Sequence, residues 1–210
     1  MRRFILIPIA GLVLLGACNN AKKASDANFA AAINQYLGKH GEACTVINRQ
    51  FPVDVPRSEQ RDPYGMGVKL EALTQAGLVS ASDTTAVVHG MLEPLQGPTP
   101  PQPVRHYELT SEGKKYLRQI PGDFGPTNAL CYGQKAVDSV VKWTEPVTSG
   151  AYSQSVVTYT YKVVSIAPWT ERPDVQRVFP DIRVTMADAS KKNQVAKAQL
   201  TNKGWWIPGT

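Results

Sequence analysis

The side chains best suited to chemistry in this chain are its three histidines, His40, His89 and His106, and its three cysteines, Cys18, Cys44 and Cys131. The histidines lie far apart, and no GxSxG, HExxH or SxxK string pairs any of them with a nucleophile or a metal. A lone histidine on a strand, such as His106 before Tyr107, is ordinarily a hydrogen-bonded surface residue. Asp181 and Asp188 cannot be given acid and base roles from spacing alone. No catalytic residue, no metal set and no cofactor is therefore expected. The sharpest candidate is a group of aromatic residues, Tyr159, Tyr161, Trp169, Trp205 and Trp206, with Trp143 beside them. Flat rings stack on sugar faces and bury area at little entropic cost, so these could line a groove for a glycan or a peptide. The competing reading is the packed core of a small sheet.

Cys18 stands in a different context from the other two cysteines. Met1-Arg2-Arg3 is positive, and Phe4 to Leu15 carries no charge, which is the layout of a secretory signal. The run is shorter than the ~20 apolar residues that cross a bilayer. It ends in Leu15-Gly16-Ala17-Cys18, an aliphatic residue, two small residues and a cysteine. This string resembles the lipobox of bacterial lipoproteins. The resemblance implies a diacylglyceryl thioether on Cys18, cleavage after Ala17 to remove the signal 1–17, and acylation of the new amino group. It also implies a cell-envelope address with the membrane as a partner through the anchor. Asn19, where an Asp would favour retention in the inner membrane, points to the outer membrane with the domain facing the periplasm. Residues 18–25, with Lys22 and Lys23, are expected to be a polar tether that lets the domain stand off the membrane.

With Cys18 lipidated, Cys44 and Cys131 remain, and an even pair in an oxidising compartment reads as a disulfide. No CxxC spacing suggests a reactive or metal-binding role. The formal charge of +6 includes Arg2 and Arg3 of the signal. So mild an excess does not argue for nucleic acid.

The elements that must position these residues fall into two parts. Over 26–120, Phe29, Ile33, Tyr36 and Leu37 recur at helical spacing behind a Ser25 or Asp26 cap, predicting a helix over about 26–37. Cys44 to Asn48 and Phe51 to Pro56 read as extended. Val68, Leu70, Leu73 and Ala76 form one side of a short helix closed by Gly77, followed by a strand from Leu78-Val79. The strings Leu70 to Val79 and Arg105 to Leu117 resemble the end of a winged helix-turn-helix, in which a helix ends at Gly and a strand ending Leu-Thr runs into a helix. The resemblance, over about residues 66–118, implies a winged-helix-like scaffold. Lys69 and Gln75 are nearly all that Val68 to Ala76 offers a DNA groove, so no nucleic-acid role goes with it. Pro94, Pro98, Pro100, Pro101 and Pro103 suggest a polyproline II connection.

Over 130–210 the composition turns to strand. Val137 to Trp143, Val156 to Val164, Ile182 to Met186, Gln194 to Leu200 and Trp205 to Ile207 read as strands, with Pro173 to Phe179 as a short helix. Alternation puts Tyr159 and Tyr161 on one face, and adjacent Trp205 and Trp206 on opposite faces. The expected fold is α+β, a winged-helix-like part followed by an antiparallel sheet. The expected function is a non-enzymatic binding or scaffold lipoprotein that contacts an envelope protein or glycan. The alternative is an envelope enzyme acting on peptidoglycan or a related polymer.

Overall fold

The computed structural model describes residues 21–88, 100–123, 125–150 and 152–209. Cys18, His89, Pro94 and Pro98 lie outside them. The chain runs α1 (Asp26–His40), β1 (Glu42–Val46), β2 (Val53–Pro56), a 3-10 turn (Glu59–Arg61), α2 (Met66–Gln75), β3 (Val79–Ala86) and β4 (Gln102–Leu109). It continues through α3 (Ser111–Tyr116), β5 (Leu117–Ile120), β6 (Thr127–Trp143), β7 (Val147–Ser149) and β8 (Tyr152–Val164). A 3-10 turn (Pro168–Glu171), α4 (Pro173–Val178), α5 (Pro180–Asp188), β9 (Gln194–Thr201) and β10 (Gly204–Trp206) complete it.

The strand β6 organises the molecule. Its first half takes β1 on one edge and β5 on the other, with Leu130 opposite both Thr45 and Leu117. Its second half pairs with β8, and the sheet continues through β9 to β10, with β7 on the start of β8. Register shifts at Val137/Ser139 and Val140/Lys142 are bulges that bend the β6–β8 ladder, so the antiparallel sheet curls. A second sheet, in the order β2-β4-β3, stands apart from it.

Two cores follow. Helix α1, capped by Ser25 Oγ accepting from Asn28 N–H, lays Phe29, Ile33 and Leu37 on Val137, Val157, Tyr159, Tyr161, Ala198 and Trp205 of the curled sheet. Asp26 accepts from the Trp143 indole at 2.8 Å and Asn34 accepts from the Val137 amide at 2.8 Å, which fixes the helix along the strands. The second core joins Leu70 and Leu73 of α2 and Val53, Val55, Val79 and Tyr107 of the small sheet. Leu130, Tyr132, Trp169, Val175, Phe179 and Ile182 complete it.

The winged-helix expectation is overturned. The N-terminal part is a single helix followed by strands, and the fold is mostly β around a curled antiparallel sheet. The physical reason is that α1 spends its apolar face on the large sheet, and Val53–Pro56 becomes β2, a third strand beside β4. Among the described residues before α2, only the short 3-10 turn Glu59–Arg61 is a helical element packed on it, while α1 lies in the other core. The helix expected through Leu117 stops at Tyr116, and Leu117–Ile120 joins β6 as β5. Strands β1 and β5, from the stretch 26–120, pair with β6 in the large sheet. Ile182 to Met186, expected as a strand, lies in α5: Pro180 opens the helix, and Ile182 is its buried residue while Val184 is exposed.

Candidate functional site

The aromatic residues singled out in sequence are not brought together on the surface. Tyr159, Tyr161 and Trp205 are buried beneath α1, with Trp205 stacked on Phe29 at a centroid distance of 4.7 Å. The Tyr161 hydroxyl donates to the Thr185 carbonyl at 3.0 Å. Burial pushes both phenols above their ordinary pKa. Trp169 lies in the other core, edge-on to Tyr116 and Tyr132 at 5.8 and 6.0 Å, and its buried indole N–H finds no acceptor among the described residues. Only Trp206 faces outward, 44 % exposed against 7 % for Trp205, because the strand alternates its side chains between faces. A glycan-stacking groove is therefore not assembled from this set.

Cys44 and Cys131 are joined as a disulfide, directly opposite one another across the β1–β6 ladder. The Glu42 carboxylate lies with both sulfurs inside 4.8 Å. Sulfurs bonded to each other are not thiolate ligands, so this cluster does not make a metal site.

His106 sits on the outer face of the small sheet. Its Nδ1 meets Asp54 Oδ1 at 2.7 Å from the facing position of β2, and its Nε2 meets Glu108 Oε1 at 3.3 Å. These hydrogen bonds, that to Asp54 first, raise its pKa above the ordinary histidine value. Ser82 occupies the facing position of β3, so a serine, a histidine and an aspartate stand in one row across three strands. They do not form a nucleophile and base. Both ring nitrogens are held by carboxylates, which favours the protonated ring with no free lone pair, and no hydrogen bond joins Ser82 to it among the described residues.

The feature that sequence reading missed is a cleft of about 820 Å³ between α2 and α4. Pro63, Val68, Ala72, Val178 and Pro180 give it an apolar lining, and Tyr64, 90 % exposed, stands at its mouth. Its charged residues separate into two kinds. The carboxylates are already engaged: Glu71 by Arg105 at 3.4 Å, and Asp174 by a two-pronged contact from Arg172 at 3.1 and 3.0 Å. The Arg172 guanidinium holds Asp174 below the usual carboxylate range. The cations are not engaged in the same way. Arg177 makes no ion pair among the described residues, and the Lys69 ammonium lies 5.7 Å over the Phe179 ring. The cleft thus offers an apolar floor with two cations, Lys69 and Arg177, outside any ion pair among the described residues, at a size within the ~300–1,000 Å³ of ordinary ligand sites. No histidine, serine or cysteine lines it.

The sequence groups Val68 with Leu70, Leu73 and Ala76 on one side of α2, whereas Val68 lines the cleft with Ala72 while Leu70 and Leu73 face the core. The cleft forms where α4, about a hundred residues later in the chain, packs against α2. No known protein family, curated protein or solved structure matches the chain.

Proposed function

We propose that this is an envelope lipoprotein, held on the outer membrane by lipid on Cys18 and facing the periplasm, that binds a peptide segment of an envelope protein without chemical turnover. The lipobox-like string Leu15 to Cys18 supports the address, and the oxidised Cys44–Cys131 pair suits an oxidising compartment. Among the described residues no helix is long and apolar enough to cross a membrane. The cleft between α2 and α4 carries the binding reading. Its lining suits apolar side chains, while Arg177 and Lys69 suit a carboxylate of the ligand. A peptide is favoured over a glycan because the tryptophans that would stack on sugar are buried or dispersed.

The enzymatic alternative, action on peptidoglycan or a related polymer, has less support. It would need a free base or acid in a cleft, and the carboxylates of this cleft are neutralised by arginines while His106 is held between Asp54 and Glu108.

A photo-crosslinking side chain placed at Gln75, on the cleft wall, tests the proposal in intact envelopes. The trapped species should be an apolar peptide segment containing an acidic residue, and Arg177→Glu should abolish capture. A trapped glycan, or capture indifferent to Arg177→Glu, would overturn it.

A further inference from the structure

The sequence suggests a tether that holds the domain away from the bilayer, yet the folded part begins almost at the lipidation position. Ala21 packs on β10: a Cβ built on Gly204 would lie 3.0 Å from the Ala21 carbonyl oxygen and 3.3 Å from its Cβ. Gly204 also has φ +121°, which a side chain would strain. Two residues on, the Lys23 carbonyl accepts from the Trp205 indole at 3.2 Å and from the Asn28 side chain at 2.8 Å. Only Asn19 and Asn20 separate Cys18 from this docked chain. Three residue steps at ~3.3–3.6 Å each reach about 10 Å at most.

The surface beside that point suits a lipid headgroup layer. Val147, Gln154, Gln199 and Trp206 face one another in register across β7, β8, β9 and β10, which puts them in one row on the outward face. Val147 and Trp206 are exposed, as are Val156 and Val195 on the same face. Strands β7 to β10 contain no aspartate or glutamate. Lys197 and Lys203 are exposed along them, and Lys22 and Lys23 are exposed on the docked chain. An exposed tryptophan beside lysines is the composition that settles at the membrane–water interface, the ring at headgroup level and the ammonium groups on anionic lipid.

From these observations we infer that the outward face of β7–β10, centred on Trp206, lies against the anionic headgroups of the anchoring membrane. The inference rests on the lipoprotein reading, because the lipid on Cys18 is what brings this edge to the bilayer. Reach selects the occupant. A folded partner about 30 Å across does not fit between β10 and a bilayer about 10 Å away. None of the residues that line the α2–α4 cleft belongs to this face.

The test uses the full lipidated protein in vesicles of phosphatidylethanolamine and phosphatidylglycerol, with and without brominated acyl chains. Mass analysis reports acylation of Cys18 separately from the docking readout. Brominated lipid should lower tryptophan emission, and Trp206→Phe should remove most of that drop while Trp205 stays shielded. Lys197→Glu and Lys203→Glu should each reduce the drop several-fold in anionic vesicles, offering a second route should Trp206→Phe fold poorly. Acylated protein whose emission is the same in both vesicles, or a drop unchanged by Trp206→Phe, would refute the docked face. Crosslinks between copies through Lys197 would assign the face to a second molecule instead. Absence of acyl mass on Cys18 would refute the lipoprotein reading, and this inference with it.

Discussion

Beneath α1, the curled sheet buries Phe29, Tyr159, Tyr161 and Trp205 on one face and shows lysines and isolated apolar residues on the other. Around α2 and β4 the surface is instead a lattice of ion pairs: Arg105 with Glu71 and Asp83, His106 with Asp54 and Glu108, and Arg172 with Asp174. The first region is closed by a fifteen-residue helix packed mainly on β6 and β10. The second is covered by shorter helices of ten, six and nine residues, and the space between α2 and α4 stays open. Buried rings confer stability that responds little to pH. Carboxylate contacts on a half-exposed sheet confer little stability and make what they confer titratable. The contrast separates a closed aromatic core from a region whose surface keeps an open cleft.

The largest effect should come from the ring core. Trp205→Ala removes a buried indole from beneath α1 and should cost about 3–5 kcal/mol, whereas Trp206→Ala, on the opposite face, should cost about 1 kcal/mol or less. Thermal unfolding of the two variants measures this, and equal losses would erase the distinction between the faces of β10.

Next comes the disulfide within the curled sheet. The disulfide joins β1, which follows α1, to β6 with a sequence separation of 87, a span for which the chain-entropy model gives about 4–5 kcal/mol. Replacing both Cys44 and Cys131 with Ser should cost about 2–4 kcal/mol, since observed effects usually fall short of the model. Chemical denaturation of the oxidised protein is the appropriate measurement.

Within the second region, Gly113 of α3 packs so closely on the Leu78 carbonyl that a Cβ there would collide with backbone. Gly113→Ala should therefore cost about 1–3 kcal/mol by overpacking. An unchanged midpoint would mean that α3 can move off β3 freely.

The smallest effect is the one that titrates. His106 has its pKa raised in the folded state by Asp54 and then Glu108. Its contribution is therefore complete below the unfolded value of about 6.5 and is lost as pH rises through the folded value. Stability of His106→Gln relative to the parent should show a deficit of about 1 kcal/mol or less below about pH 6.5 that shrinks as pH rises above it. A deficit that grows with pH would reverse the assignment.

Much of the local structure was legible because short-range stereochemistry governs it. Ser25 caps α1 within one residue of the expected start, and Gly77 follows the end of α2. Ile182 to Met186 misled because alternating apolar residues suit a strand. Prolines at the first positions of α4 and α5, and the need to bury Ile182 against the second core, decided for helix. Pro103 lies in β4 opposite Thr85 rather than in a polyproline connection, and Pro94 and Pro98 fall outside the described residues.

The sequence by itself determined the features that depend on neighbours in the chain: the uncharged apolar run ending in Leu15 to Cys18, and the opposite facing of Trp205 and Trp206 that a two-residue strand period requires. Only the tertiary structure decided that Tyr159 and Trp169 belong to different cores, that His106 lies between two carboxylates, that Ala21 packs on Gly204, and that α2 and α4 leave a cleft with Arg177 at its edge. Each of those outcomes turns on which distant segment pairs with β4, β6 or β9. That choice is made by burial summed over a whole sheet, a quantity no local window of residues contains.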